Sequence, residues 1–449
     1  MNRKIFLLIL ISFFYFQGCS FIGIKENPEY VKVSGKQFIL DGRPYYFVGT
    51  NLWYGAYLGS PGETGDRNRL IKELDNLHSL GIDNLRICAA SEESSMDRAI
   101  KPAFQKSPGV YEENLLEGLD FILAEMGKRN MKAVLFLNNY WQWTGGMAQY
   151  NQWFTNTTIP DPDNPKVGYG KFMDYSAEFY LNSKARECFK EYIKMIITRK
   201  NKFSGLFYFE DPAIMTWQLG NEPRPGRDLS IIKSAEVFYQ WIDETGQYIH
   251  SLDPNHLVTI GSEGTVGNLQ NDEMFLKSHS SKYIDYATLH LWPKNWGWFV
   301  ADKSDETYPS TEKNAIEYII KHIVLANRLN KPITMEEFGI PRDNELYKSG
   351  TATTIRDKYF KKIFGLVADS AANGSPLAGT NFWGWGGSGR GQNEDGKWKI
   401  GDPYTGDPPQ EPQGLNSIFD SDISTIEIIK SHVKQLRNLD AIRISSKSN

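Results

Sequence analysis

Two glutamates each close a short apolar run. Glu222 follows the run 214–219 within the stretch WQLGNEPR at 217–224, and Glu337 follows 333–335 within ITMEEFG at 333–339. Two carboxyl groups at the ends of two separate strands are what a retaining glycosidase needs. One protonates the leaving oxygen, and the other attacks the anomeric carbon from the opposite face, with the pair about 5–5.5 Å apart. Other chemistry-bearing residues fall at strand ends in the same way: Arg86, Asn221, His290 and Trp383. A lone histidine or tryptophan at a strand end is ordinary packing. A charged or aromatic residue at the end of strand after strand is not.

The elements that must carry these residues are legible as alternation. Short β-type runs at 46–50, 84–88, 132–137, 214–219, 257–260, 286–290, 332–335 and 380–383 are separated by segments with helical spacing at 67–80, 187–199, 231–250, 313–329 and 354–372. Apolar residues at 70, 71, 74, 77 and 80 show that period in the first helix. Eight strands alternating with helices predict an α/β chain closed into a (β/α)8 TIM barrel. A hairpin formed by 31–33 and 37–40 around Ser34-Gly35-Lys36 is expected to plug its bottom. A last helix is expected over 424–439. The long βα connections, 138–213 and 384–414, follow strand C-termini, the face on which such barrels place their sites.

Composition is consistent with this and excludes alternatives. A 449-residue chain accommodates one barrel with loop insertions, and a net charge of −4 offers no basic field for nucleic acid. The 12 tryptophans and 23 tyrosines suit stacking on sugar faces as well as core packing. Seven histidines without an HExxH or Cys/His spacing imply no metal, and no early glycine loop implies a nucleotide cofactor. Cys88 and Cys188 are expected to be buried free thiols.

The N-terminus is read as a targeting segment. Arg3 and Lys4 precede an apolar stretch, 5–16, which is too short to span a bilayer. Gly18-Cys19 resembles a lipobox, so residues 1–18 are expected to be a lipoprotein signal peptide, Cys19 the lipidated residue and 19–30 a tether. Residues 31–440 form a single catalytic domain and 441–449 a flexible tail. The protein is then an exported bacterial membrane lipoprotein, periplasm-facing or at the cell surface, touching the membrane through its anchor only. A monomer is the default.

The strand-end set resembles glycoside hydrolase family 5, whose acid/base and nucleophile sit after strands four and seven. Longer segments, GTNLWYG at 49–55, NNYWQWTGGM at 138–147, HLWPKNW at 290–296 and GLNSIFD at 414–420, resemble its endo-β-1,4-mannanase subfamily. The resemblance spans roughly 30–440. It implies that Glu222 is the acid/base, with a raised pKa, and Glu337 the nucleophile, kept ionised by Arg86. Glu336 is the rival. Adjacent strand residues face opposite sides, and the family pattern places the nucleophile directly before Phe-Gly, which selects Glu337. Asn221 resembles the residue that binds the sugar 2-hydroxyl, and Trp383 the platform under the reacting sugar. His290, Asn139, Trp53, Trp141 and Arg224 complete the expected substrate-binding set, with Trp53 and Trp141 as stacking walls and Arg224 on the leaving-group side. Two departures stand out. Trp292 occupies the place of a common tyrosine and can only donate, through its indole N–H, to Glu337. Asn138-Asn139 stands where the wider family has histidine, as in the mannanase subfamily.

The resemblance implies cleavage of internal β-1,4-mannosidic bonds of mannan, glucomannan or galactomannan, by double displacement and without cofactor. The alternatives are a related retaining enzyme, such as a β-glucanase or an exo-β-mannosidase whose loops close one end of the cleft, or a non-catalytic glycan-binding lipoprotein.

Overall fold

The computed structural model describes residues 29–447. The expected signal segment, Cys19 and most of the expected tether lie outside the described residues.

Eight parallel strands form one sheet: β1 Phe47–Asn51, β2 Asn84–Cys88, β3 Lys132–Phe136, β4 Ile214–Gln218, β5 Leu257–Thr259, β6 Ala287–Leu291, β7 Ile333–Phe338 and β8 Leu377–Phe382. The ladder runs β5-β4-β3-β2-β1-β8-β7-β6, so consecutive strands pair along it except β5 and β6, which are its ends. Its two ends meet. Asp285 N–H donates to the Val258 carbonyl at 2.8 Å, His290 N–H to the Glu263 carbonyl at 3.2 Å, and the Thr288 hydroxyl to the Ser262 carbonyl at 2.8 Å. These bonds close the (β/α)8 barrel where β5 and β6 have no regular ladder. The helices that follow the strands are α1 Arg67–Leu80, α2 Glu113–Lys128, α3 Ser183–Ile197, α4 Ala235–Leu252, α5 Asp272–His279, α6 Ser304–Leu329, α7 Thr354–Ala372 and α8 Ile423–Lys447. The last of these continues through residues expected to form a flexible tail.

Local chemistry accounts for the ends. Asp66 caps α1 by accepting from Arg69 N–H, and Gly81 ends it at φ 83°, a left-handed position that costs glycine nothing. The strands Lys32–Ser34, Gln37–Leu40 and Arg43–Pro44 make a three-stranded antiparallel sheet, one strand more than the expected hairpin. It buries Val31 and Phe38 against Phe47, Met215, Leu257, Tyr286 and Ala378, and so plugs the bottom of the barrel.

The barrel interior is polar toward the top. Asn381 donates to Asn84 at 2.9 Å, and Gln218 to Glu336 at 2.5 Å. Tyr286 donates to Glu336 at 3.2 Å. Gly49 makes room for this: a Cβ there would lie 2.2 Å from Asn381 Nδ2. Buried polar groups are tolerable only when satisfied, and this column of hydrogen bonds is the floor on which the site stands.

Cys88 is buried and Cys188 only half-buried, and both are free thiols.

Candidate active site

Arg86 is fully buried and points up the barrel from β2. Its guanidinium is spent completely. Nε and Nη2 donate to Gln218 Oε1 at 2.9 and 2.7 Å, Nη2 to Asn221 Oδ1 at 2.7 Å, and Nη1 to Asn51 Oδ1 at 3.1 Å and Glu337 Oε1 at 2.5 Å. A rigid planar fork held by β1 and β4 therefore fixes the β7 carboxylate. The other oxygen of Glu337 accepts from Trp292 Nε1 at 3.0 Å, the donor role that an indole permits.

Glu222 lies across the gap. Its backbone sits at φ 53°, a left-handed conformation that a glutamate adopts at a cost of about 1–2 kcal/mol. Glu222 N–H donates to the Gly261 carbonyl at 2.9 Å, which holds that turn. The carboxyl meets His290 Nδ1 at 2.6 Å through Oε1 and accepts from Trp141 Nε1 at 2.5 Å through Oε2. One atom each of Glu222, His290 and Glu337 lie within 4.8 Å of one another. That spacing is the short one of retaining enzymes, well inside the about 6.5–9.5 Å that an intervening water needs. A trio of such donors also suits a divalent ion. Here Arg86 already neutralises Glu337, and the His290–Glu222 hydrogen bond uses the lone pairs that an ion would take.

The charges follow from this packing. Burial pushes the His290 imidazole down, but Glu337, the hydrogen-bonded Glu222 and the nearby Glu336 outweigh it and lift the ring to about 10. Burial raises the Glu222 carboxyl, yet His290, Arg224 and Trp141 together hold it below its ordinary value. The raised value expected for Glu222 is therefore not what its surroundings dictate, because the proton is kept 2.6 Å away on the imidazole. Glu337 is lifted, by burial first and by Glu222, against the pull of His290 and Arg86. The three titrate as one unit.

A cavity of about 500 Å³ opens above these groups, lined by Asn221, Glu222, Arg224, Trp141, Trp292, Glu337 and Trp383 among the expected residues. His290 is buried behind Glu222. Arg86 likewise lies beneath the cavity, and two further expected contacts, Trp53 and Asn139, do not line it either. Trp53 is core: it is buried, its indole donates to the Gly406 carbonyl at 3.1 Å, and it packs against Trp143 and Tyr404. Asn139 backs the site instead, accepting from Asn221 Nδ2 at 3.1 Å and Trp141 N–H at 3.0 Å. Glu336 is not turned out of the barrel. The β6–β7 register pairs Leu289 with Met335 and then His290 with Glu337, so Glu336 is the extra residue of a bulge. Its carboxylate points inward, 3.9 Å from both Arg86 Nε and His290 Nε2, one level below Glu337.

Residues beyond those expected complete the lining: Trp143, Tyr169, Glu263, Val266, Asn295, Trp296, Pro408, Gln410 and Glu411. Of these, Glu263 had a visible signal, an acid just past the fifth strand in the run IGSEG at 260–264. Trp143 and Trp296 lie inside the segments 138–147 and 290–296 already singled out, whereas Pro408, Gln410 and Glu411 had no signal, because their place depends on how 384–417 folds back.

A closed barrel with a buried arginine-braced carboxylate facing a second carboxyl at this spacing defines a glycoside hydrolase. A family model described as "GH family 5 beta-mannosidase-like" matches residues 28–441, and the chain belongs to glycoside hydrolase family 5. Among curated relatives, a putative mannan endo-1,4-beta-mannosidase 9 of Oryza sativa subsp. japonica is 32% identical over 367 residues, 80% of this chain and 81% of that one. The mannan endo-1,4-beta-mannosidase 4 of Solanum lycopersicum is 29% identical, covering 83% of this chain and 87% of its own. Among solved structures, a family 5 mannosidase from Rhizomucor miehei superposes with a TM-score of 0.84 at 35% identity, covering 92% of this chain and 98% of that one. An endo-1,4-beta-mannanase from the same organism gives 0.66 at 26%, covering 91% and 99%.

Proposed function

We propose that the protein hydrolyses β-1,4-mannosidic bonds of mannan, glucomannan or galactomannan chains, or of their oligosaccharides, with retention of configuration. The observation that carries the chemistry is the sub-5 Å approach of Glu222 and Glu337, with Arg86 on one and His290 on the other. Glu337 attacks the anomeric carbon while Glu222 delivers its proton to the leaving oxygen. Glu222 then takes a proton from water, which displaces Glu337 from the glycosyl-enzyme. The proton that Glu222 needs is available from His290 along one hydrogen bond. Asn221, aimed by Arg86 and Asn139, is placed for the sugar 2-hydroxyl, and Trp383 is the platform beneath the ring. The mannan substrate is supported by the names of the curated relatives and of the Rhizomucor enzymes. Reducing-sugar release compared across mannan, glucomannan, xylan and cellulose tests it. Preference for xylan or cellulose overturns it.

Where the chain is cut has two readings, each with its own support. Internal cleavage is supported by the endo-1,4-β names of the curated relatives. Release of single units from chain ends is supported by the cavity itself. Pro408, Gln410 and Glu411 form part of its wall, and Arg98 ties that wall to the 94–104 loop by donating to the Gln410 carbonyl. On mannohexaose, an early mixture of short oligosaccharides means internal cutting, and mannose with mannopentaose means chain ends.

The targeting reading joins this proposal. A monomer anchored by lipid on Cys19 is tested by labelling with a fatty-acid analogue. Undiminished labelling of Cys19→Ser overturns it.

A further inference from the structure

Glu263 is a third buried carboxyl in the cavity wall, and double displacement by Glu222 and Glu337 makes no use of it. It belongs to a chain of contacts that ends on Glu222. Glu263 Oε2 accepts from Arg224 Nε at 2.5 Å, and Arg224 Nη2 closes on the same oxygen. The guanidinium so held lies 5.0 Å from the centroid of the Trp141 ring. Trp141 Nε1 in turn donates to Glu222 Oε2 at 2.5 Å.

We propose that Glu263 is a positioning residue for proton delivery. It holds the Arg224 guanidinium on the face of Trp141, and so aims the indole N–H at the carboxyl that protonates the leaving group. The proposal rests on the reading of Glu222 as acid/base.

Three physical points support it. An arginine beside a buried acid favours the ionised form of that acid and would strip it of its proton at lower pH. In its ionised form, Glu263 balances that charge on the spot. A guanidinium is also free to swing unless both edges are engaged, and here one edge is ion-paired and the flat face is stacked. Finally, Glu263 is itself fixed from behind: Tyr318 OH and His290 N–H donate to its carbonyl at 2.7 and 3.2 Å. The charged groups facing its carboxyl are Arg224, Glu222 and His290, and burial together with Glu222 lifts that carboxyl to about 7 against the pull of Arg224.

Leaving-group dependence separates this role from a merely structural one. A 2,4-dinitrophenyl β-mannoside departs with little protonic help, whereas mannobiose needs a full proton. In Glu263→Gln, the ratio of kcat/KM between these substrates is expected to widen by about tenfold, and the alkaline limb on mannobiose to move to lower pH. A double-mutant cycle is the second measurement. If Glu263 acts through Trp141, then adding Glu263→Gln to Trp141→Phe widens the ratio by less than about twofold. An equal loss on both substrates, an unchanged ratio, or additive effects in the cycle overturns the proposal. Should Glu263→Gln not fold, Arg224→Lys, which keeps the charge and loses the planar stack, must widen the same ratio or the proposal fails. Wild type that leaves β-mannosides untouched removes the β-mannoside reading and this proposal together. Wild-type turnover with an unmoved ratio removes this proposal alone.

Discussion

His290 Nδ1 stands 2.6 Å from Glu222 Oε1, so a proton shared by the two has two seats on one hydrogen bond. With the imidazole charged and Glu222 ionised, or with the imidazole neutral and Glu222 protonated, the total number of protons is the same. Both states have the count that a retaining enzyme needs before attack, provided that Glu337 is ionised. On the proposed reading of Glu222 as acid/base, the buried ring serves as a proton store rather than as a catalyst in its own right.

The pH profile follows from that sharing. His290 is lifted to about 10, so its proton is held throughout the neutral range and is lost only as pH rises through that value. The alkaline limb of kcat/KM should therefore lie well above 6.5. Glu337 is lifted, so activity should fall with acid before pH drops to the ordinary carboxylate value of 4.5. In His290→Asn the proton rests on Glu222 alone, and the alkaline limb should move down by about one unit or more. A limb that stays in place shows that the pair does not share the proton.

Removing either carboxyl should leave a distinct chemical trace. Glu337→Ala should lower kcat roughly ten-thousand-fold, and azide entering the vacated space should yield the α-mannosyl azide. In Glu222→Ala the nucleophile remains, so an activated aryl mannoside should still load the enzyme, and azide should then give the β-azide. NMR of the products reads both. The same anomer from both variants would show that the roles of the two glutamates are not those proposed.

Much of this was legible in the residues, and the failures have specific physical causes. The eight strands are visible because each is a short apolar run bounded by polar segments, and α1 and α7 have the bounds their periodicity predicts. α6 begins at Ser304, earlier than its pattern suggests. Pro309 normally ends a helix, but here it lies in the second turn, where few backbone bonds depend on it. The expectations include no helix between the second and third strands, although Leu115, Leu119, Ile122 and Met126 of α2 have the spacing. Period-two alternation assigns Glu336 to the outside and fails because a bulge gives β7 one residue too many. Trp53 and Trp141 cannot be told apart by type. One meets Gly406 in the core and the other Glu222 in the cavity, and only the fold of the loops decides which.

Trp292 tests a substitution within the family pattern. Its N–H is 3.0 Å from Glu337 Oε2, a hydrogen bond to an ionised acceptor worth about 1.5–3 kcal/mol. Trp292→Phe keeps an aromatic ring beside Trp383 but removes the donor. kcat should drop by about tenfold or more, with little change in thermal unfolding. Unaltered kcat would show that Arg86 alone orients the nucleophile.

The wall of the cavity depends on one buried acid. Asp407 accepts from Gly414 N–H at 2.9 Å, Asn416 N–H at 2.9 Å, Ser417 N–H at 3.1 Å and the Ser417 hydroxyl at 2.5 Å. Gln413 fastens the same loop by donating to the carbonyls of Asp407, Pro408 and Glu411. A loop with so many backbone donors turned inward cannot stay closed without its acceptor, because each buried N–H left unpaired costs about 1–3 kcal/mol. Asp407→Ala should therefore lower the urea midpoint, admit protease within 404–417 and raise KM, with a smaller effect on kcat because Glu222 and Glu337 are held by other elements. If chain-end cutting depends on this wall, the same variant should also release longer products from mannohexaose. A variant that resists protease and keeps the wild-type KM would show that the wall stands without Asp407.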